Sequence, residues 1–183
     1  MIWDLPIDVE INGKRFAICN KCDYRVVLSV IRTLEADDIS DQEKIAIALM
    51  NFYEDLSECT DGDAAYQEML KIINLGEEPD NNQANKPRLM NWEHDFAQIA
   101  PPINRVLGYS VRDPEKWTHW YDFVGAYMEI GECMFSTIIS IRSKKAKGKK
   151  LEKHEQEFYA EHRKLVDLPI KLTAEELAEL EAF

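Results

Sequence analysis

Two of the four cysteines form a Cys-x-x-Cys pair, Cys19 and Cys22, in the stretch AICNKCDYR. A structural zinc site needs four ligands, commonly a second such pair or two histidines. The other cysteines, Cys59 and Cys133, are isolated in the sequence. The pair follows a predicted strand and opens a predicted helix, as in thioredoxins, but the surrounding βαβ pattern is missing. A structural role is favoured, and a small redox or metal module using Cys19 and Cys22 stays open as an alternative.

The histidines do not form a recognisable metal or catalytic motif. His154 and His162 lie eight positions apart in HEQEFYAEH, whereas a zinc protease motif places two histidines one helical turn apart. Eight residues of helix span about 12 Å, too far for one shared zinc ion. The sequence also has no glycine-rich phosphate loop and no Gly-x-Ser-x-Gly elbow. We therefore expect a protein that is not an enzyme and that uses no cofactor and no metal.

Composition sets further limits. The 183 residues carry a net charge of −12, with 45% hydrophobic and 31% charged residues, as expected of a soluble globular protein. Such acidity argues against nucleic acid as a partner. No apolar run is long enough for a membrane span, and the N-terminus lacks the basic and apolar regions of a secretory signal. We expect a protein of the cytoplasm.

The charge is unevenly distributed. Residues 142–153 carry seven basic side chains and one acid, and residues 35–63 carry ten acids and one lysine. The basic run is interpreted as a solvated face, with an acidic protein partner and nucleic acid as the other readings. Attraction between the two segments also makes a homo-oligomer possible.

The predicted fold class is mainly α (α+β), with an N-terminal β-hairpin at about 7–18 followed by a multi-helix bundle. Asn12-Gly13 predicts a two-residue type I′ turn, which pairs Glu10 with Arg15 and Val9 with Phe16 and puts charges on one face. The period then becomes helical. The helical signals are a first stripe (Val27 to Leu34), a capping box (Ser40 to Glu43), a second stripe (Ile45 to Leu56), and a third (Tyr66 to Ile73) that ends at Gly76.

The second half restarts after a polar segment at 77–90, predicted to be a linker or loop. It separates an N-terminal hairpin-plus-helices region, 1–76, from a C-terminal helical region, 91–183, although the two regions could also pack as one domain. Pro101-Pro102 predicts a kink or two short helices, and Asp113-Pro114 predicts a helix start. A helix over about 151–166 and a tail helix opening at Thr173–Glu176 complete the series.

Several stretches together resemble the bacteriophage gene-product-fifteen family of tailed phages and prophages. They are the hairpin pattern LPIDVEINGKRFAI with Asp23-Tyr24-Arg25, then DQEKIAIALMNFYE, WEHDFAQI, KWTHWYDFVGAYMEI, and the segment that begins IISIRSKKAKGKK. The ordered set covers roughly residues 1–168. Pro101-Pro102 departs from the family pattern, which continues a helix there, so the resemblance does not define the local geometry at that point. The paired cysteines also depart from the pattern, so the resemblance implies no family-wide role for a metal or a disulfide.

The resemblance implies a non-enzymatic tail-assembly protein of the host cytoplasm, in particular a chaperone that binds the tape-measure protein and presents tail-tube subunits. A structural tail or virion adaptor is the competing interpretation. KWTHWYDF packs four large rings into seven residues, more than one buried stripe needs. We therefore predict a partner-binding set from this helix and the basic run: Trp117, Trp120, Tyr121, Phe123, Arg142, Lys144, Lys145, Lys149 and Lys150.

Overall fold

Helices dominate the computed structural model, which describes residues 4–77 and 87–169. In chain order the elements are β1 (Asp8–Ile11), β2 (Lys14–Ala17), a short turn (Cys19–Cys22), α1 (Tyr24–Leu34), α2 (Asp41–Phe52), α3 (Gly62–Ile73), α4 (Trp92–Leu107), α5 (Trp120–Met128), α6 (Met134–Ala146), α7 (Lys153–Glu161) and α8 (Arg163–Val166). The mainly α fold class with an N-terminal hairpin is confirmed. Most of the predicted linker, and the tail helix opening at Thr173, lie outside the described residues.

The chain forms two compact units. The N-terminal unit comprises Met1–Asn81 and Trp117–Gly125, and the C-terminal unit comprises Asn82–Lys116 and Ala126–Phe183. The N-terminal unit is therefore built from two separate stretches of sequence, and the start of α5 belongs to it.

The hairpin forms as its turn residues predict. Asn12 and Gly13 both have positive φ, 51° and 79°, as a type I′ turn requires. Val9 pairs with Phe16 and Glu10 with Arg15, which confirms the register. Val9 and Phe16 are buried. Arg15 also lies 3.5 Å from the Asp8 carboxylate, which is on the same face as Glu10 because side chains two apart in a strand share a face.

Side-chain caps begin α1, α2 and α3, and the predicted capping box of α2 is one of them. Asp23 accepts a hydrogen bond from the Arg25 amide and caps α1. Ser40 and Glu43 form the reciprocal capping box of α2. Asp61 caps α3, and Gly76, at φ 90°, donates its amide to the Lys71 carbonyl just beyond that helix. These helices bury one side against the hairpin and one another, with a core that includes Val27, Val30, Ala48, Phe52, Ala65 and Met69.

Helix α4 corrects the expectation of two short helices, because one helix runs through Pro101-Pro102 from Trp92 to Leu107. The two prolines lack the amides that would bond to the carbonyls four residues earlier, at a cost of roughly 3 kcal/mol each. Burial of Ile99, Pro102 and Ile103 offsets that loss. Caps at both ends, Asn91 and Gly108, hold the helix.

Two other predicted boundaries in the second half are wrong. Asp113-Pro114 forms a turn, since the Asp113 carboxylate accepts from the Glu115 amide at 2.9 Å, and α5 begins only at Trp120. The predicted helix over 151–166 is two helices, α7 and α8, which meet at His162 with a non-helical φ of −119°. The predicted inward residues are nevertheless correct: Leu151, Phe158, Leu165 and Val166 pack in one cluster with Ile138 and Ile141.

Among the residues that the structure describes, no helix combines the length and apolarity needed to cross a membrane.

Candidate partner-binding surfaces

The Cys19–Cys22 turn has an unusual backbone. Asn20, Lys21 and Cys22 all have positive φ, at 47°, 52° and 62°. A left-handed conformation costs a residue with a side chain about 1–2 kcal/mol. The turn is held by the Asp23 amide and the Trp117 indole, which both donate to the Asn20 carbonyl, at 3.2 and 3.0 Å. The pair of cysteines thus marks a tight corner between β2 and α1.

The two thiols are in surroundings that suppress their reactivity. Cys22 is fully buried, and burial raises its pKa from 9.0 to about 12. Burial, with the negative charge of Glu54, also raises the pKa of Cys19. Both are free thiols. Because the thiolate is the nucleophile and the metal ligand, protonated thiols give the redox or metal alternative no support. Within 4–77 and 87–169, no three His, Cys, Asp or Glu side chains are grouped to hold a metal ion.

Asp23 joins two of the stretches that carry the family resemblance, Asp23-Tyr24-Arg25 and KWTHWYDF. The Asp23 carboxylate is completely buried and accepts from the amides of Arg25, at 2.9 Å, and Thr118, at 3.3 Å. The Arg25 guanidinium lies 3.2 Å from the same carboxylate. A buried carboxylate is tolerated only when it is paired and hydrogen-bonded in this way, so Asp23 fixes the approach of the second segment.

Aromatic packing completes the same junction. The rings of Tyr24 and Phe123 stack with centroids 4.2 Å apart and planes within 5°, and the Tyr24 amide donates to the Thr118 carbonyl. The Trp120 indole donates to the Ile73 carbonyl at the end of α3, at 3.0 Å. Trp120 and Phe123 are therefore core residues of the N-terminal unit.

His119 lies at the centre of this junction and is fully buried. Its Nδ1 accepts from the Tyr121 amide at 3.0 Å, and its Nε2 lies 2.9 Å from the Pro6 carbonyl. An amide can only donate and a carbonyl can only accept, so the proton is on Nε2 of a neutral ring. The imidazole ties the start of α5 to the chain that leads into the hairpin.

Arg142 and Asp95 form the corresponding buried contact of the C-terminal unit, and they come from two further family-like stretches. The Arg142 guanidinium donates to both Asp95 oxygens, at 2.7 and 2.8 Å. Its remaining donors reach the carbonyls of Leu165, Val166 and Leu89. The first two carbonyls end α8, where unpaired acceptors attract a cation. Arg142 thus connects α4, α6 and α8.

Two of the predicted contact lysines, Lys144 and Lys145, form ion pairs with acids of the C-terminal unit itself. Lys144 lies 2.7 Å from both Glu155 oxygens. Lys145 binds the Asp167 carboxylate and the Tyr159 hydroxyl. These pairs fasten α6 to the α7–α8 segment. Lys149 and Lys150, in contrast, are exposed.

The predicted partner-binding set is therefore divided by the fold. Trp120, Phe123 and Arg142 are buried, and Tyr121 is partly buried. Trp117 keeps 45% of its surface exposed while its indole nitrogen holds the Asn20 turn. Of the lysines in the set, Lys144 and Lys145 form ion pairs within the unit, and Lys145, Lys149 and Lys150 are exposed. Whether any of these residues binds a partner stays a prediction.

An exposed apolar face that sequence reasoning did not assign lies on α2. The face opposite the buried Ala48 and Phe52 presents Ala46, Ile47 and Met50, with Met50 77% exposed. The interpretation of α2 as a single stripe accounted for its inward residues only. The signal was available in IAIALM, because apolar residues there continue around the helix instead of keeping to one side. We call Glu43, Ala46, Ile47 and Met50 the outer face of α2.

The outer face belongs to a helix that is fixed at both ends. The capping box holds the first turn, with the Ser40 amide and the Glu43 carboxylate 3.0 Å apart. At the other end Tyr53 is buried, forms a bridge with Ile18, and donates its hydroxyl to the Ala65 carbonyl at 2.8 Å. The face is therefore preformed.

Acidic side chains surround this face in sequence. Exposed acids precede and follow the apolar positions: Asp38, Asp41, Glu43, Glu54, Asp55 and Glu58. Hydrogen bonds from Ser40 lower the pKa of Glu43, and hydrogen bonds from Ser57 lower that of Asp55. Glu43 and Asp55 therefore stay ionised at neutral pH, while Asp41 and Glu58 are ion-paired with Lys44 and Lys14. We call the exposed acids before and after the apolar positions the acidic border of the outer face.

Comparison with known proteins identifies the class of protein to which this fold belongs. The family model for Bacteriophage Gp15 protein matches residues 2–168, and the chain is a member of that family of phage proteins. No curated protein and no solved structure matches it.

Proposed function

We propose that this protein is a non-enzymatic tail-assembly chaperone. It works in the cytoplasm of the bacterial host through contacts with the tape-measure protein and, during assembly, with tail-tube subunits. The partners follow from the family resemblance. The observation that carries the proposal is the outer face of α2, where Ile47 and Met50 are exposed on a fixed helix.

The mechanism is temporary shielding. A tape-measure protein consists largely of long helices whose apolar stripes aggregate until tube subunits surround them. Exposed apolar patches on a folded protein mark such interaction sites. The fold supports this use, because the buried motif residues hold each unit together and leave α2 accessible.

The experiment is co-expression of the chain with the tape-measure protein of the same phage, followed by affinity purification and size-exclusion chromatography. We expect a stoichiometric complex and more soluble tape-measure protein than when it is expressed alone. Two soluble proteins that do not co-purify would contradict the proposal.

Mass spectrometry of purified particles separates a chaperone from the alternative of a virion adaptor. A chaperone leaves before the particle is complete, so we expect none of this chain in the virion. A fixed number of copies in every particle would establish the adaptor instead.

A further inference from the structure

The outer face of α2 has a shape and a charge that select a particular kind of partner. Its apolar members Ala46, Ile47 and Met50 lie on one side of a 12-residue helix and together span about 6 Å, a little more than one helical turn. An exposed apolar patch of this kind on a helix packs against one to two turns of the apolar stripe of another helix.

Charge excludes the simplest self-pairing. If two copies met through α2, Glu43 and the neighbouring acids of each copy would face those of the other, and like charges across an interface are unfavourable. Residues 171–183 of this chain also carry a net negative charge, with one lysine and four glutamates, so the acidic border would repel them as well. The acidic border instead favours a partner with basic side chains beside its apolar stripe.

The basic run of a second copy meets only half of this requirement. Lys147, Lys149 and Lys150 are exposed, but the residues between and before them, Gly148 and Ala146, offer little apolar surface. Ionic contact alone leaves Ile47 and Met50 uncovered, and exposed ion pairs contribute little.

We propose that the outer face of α2 binds an amphipathic helix of another protein, one that carries lysine or arginine on both flanks of its apolar stripe. This inference rests on the proposed function and specifies its contact, since it names the surface and the chemistry of the client helix. Methionine suits such a surface because its flexible side chain adapts to different apolar partners.

The test uses two probes. One is the co-expressed tape-measure protein, and the other is a synthetic 14-residue amphipathic helix made of leucine and lysine, compared with the same design in leucine and glutamate. We expect the full-length chain to bind the lysine peptide at least tenfold more tightly than the glutamate peptide. Equal binding of both peptides would overturn the inference.

Substitutions locate the contact. Ile47→Ser with Met50→Ser is expected to weaken binding of the lysine peptide and of the tape-measure protein at least tenfold. Met128→Ser is the matched control, because Met128 is also helical and 67% exposed; it should change binding less than twofold. All three side chains are exposed, so the unfolding midpoints should stay close to the unsubstituted value. Unchanged binding by the double variant would overturn the inference.

A second pair of variants tests the border. Glutamine is chosen at position 43 because it can still act in the capping box. The double variant Glu43→Gln with Glu54→Gln should bind the lysine peptide several-fold more weakly than the unsubstituted chain at low salt. In 1 M salt the two should bind it equally, because salt screens the charges. Glu157→Gln with Glu161→Gln is the control on exposed acids of α7. If the border variant and this control behave alike, the acidic border has no role.

The outcomes separate the two proposals. If the unsubstituted chain binds the lysine peptide through α2 but not the tape-measure protein, the proposed function fails and the surface stands. If it binds the tape-measure protein and the double variant does so equally well, the surface fails and the function stands. A dimer of the unsubstituted chain that Ile47→Ser with Met50→Ser converts to monomers would assign the face to a second copy and overturn the inference.

Discussion

The guanidinium of Arg142 binds the carboxylate of Asp95 through two parallel hydrogen bonds, 2.7 and 2.8 Å long, with both side chains almost fully buried. The two residues are 47 positions apart in the chain. Their contact joins α4 to α6, and the further donors of Arg142 reach the carbonyls at the end of α8. A residue predicted to bind a partner is thus the main polar contact inside its own unit.

Replacement of Arg142 by Lys keeps the positive charge but removes the planar set of donors. We expect Arg142→Lys to lower the free energy of unfolding by about 3 kcal/mol, because buried acceptors lose their partners. Urea unfolding followed by circular dichroism measures the change. The control Lys149→Met, at an exposed position, should change the free energy of unfolding by less than about 0.5 kcal/mol. An equally small loss for Arg142→Lys would show that the Arg142–Asp95 pair is not needed for stability.

Alkaline pH should destabilise the protein through Cys22. Its pKa is 9.0 ordinarily and about 12 in the fold, so above pH 9 the unfolded chain releases this proton first. The stabilisation is complete below about pH 9 and is lost as the pH rises towards 12. Tyr121 acts in the same direction, since burial raises its pKa from 10.0 to about 12.

The contribution of Cys22 can be isolated by Cys22→Ala. The decrease of the unfolding free energy between pH 9 and 11, measured by urea titration at several pH values, should be shallower in this variant than in the unsubstituted chain. Cys59→Ala serves as the control for loss of a thiol elsewhere. Identical slopes for the variant and the unsubstituted chain would show that Cys22 ionises as easily in the fold as in the unfolded chain.

His119 should be a neutral imidazole with its proton on Nε2, because Nδ1 accepts from the Tyr121 amide and Nε2 faces the Pro6 carbonyl. The nitrogen chemical shifts of the ring, measured by NMR at neutral pH, report this directly. A proton on Nδ1 would contradict the geometry. His119→Leu leaves two polar groups unpaired and should cost about 2 kcal/mol, whereas His154→Leu, at an exposed position, should cost little.

A glycine in the left-handed turn Cys19–Cys22 should increase the stability of the protein. Lys21 has φ 52° and ψ 43°, a conformation that glycine adopts without steric cost. We expect Lys21→Gly to raise the free energy of unfolding by about 0.5–1 kcal/mol, the difference between relieved strain and added freedom of the unfolded chain. Thermal unfolding measures it. Lys71→Gly, inside α3, should instead destabilise by about 1 kcal/mol, and a similar loss at Lys21 would contradict the assignment of strain.

Local chemistry made part of this fold predictable. Asn12-Gly13 determines the hairpin register, and Ser40 with Glu43 determines where α2 begins, because each signal acts within a few residues. The stripe of α7 and α8 was also readable, although the break at His162 was not. That break places the α8 carbonyls where Arg142 binds them, and periodicity does not encode a contact made over such a distance.

The candidate surface was harder to predict for a related reason. Aromatic and basic residues are common at binding surfaces, and Phe123 and Arg142 were predicted as contact residues for that reason. In the structure Phe123 stacks on Tyr24 and Arg142 pairs with Asp95, so both are buried inside their own units. Met50 is exposed because Ala48 and Phe52 already fill the inner side of α2. Which apolar residues remain outside depends on how many the neighbouring helices can cover, and that follows only from tertiary packing.

The N-terminal unit is built from two separate stretches of sequence, and this affects the order in which it can fold during synthesis. Asp23 and Tyr24 are made early, but their partners Thr118 and Phe123 belong to the second stretch, Trp117–Gly125. At roughly 5–20 residues per second, the ribosome delivers that stretch several seconds after the first helices. The nascent hairpin and α1 must wait for the start of α5, so the N-terminal unit cannot finish folding until the segment 82–116 of the C-terminal unit has also been made.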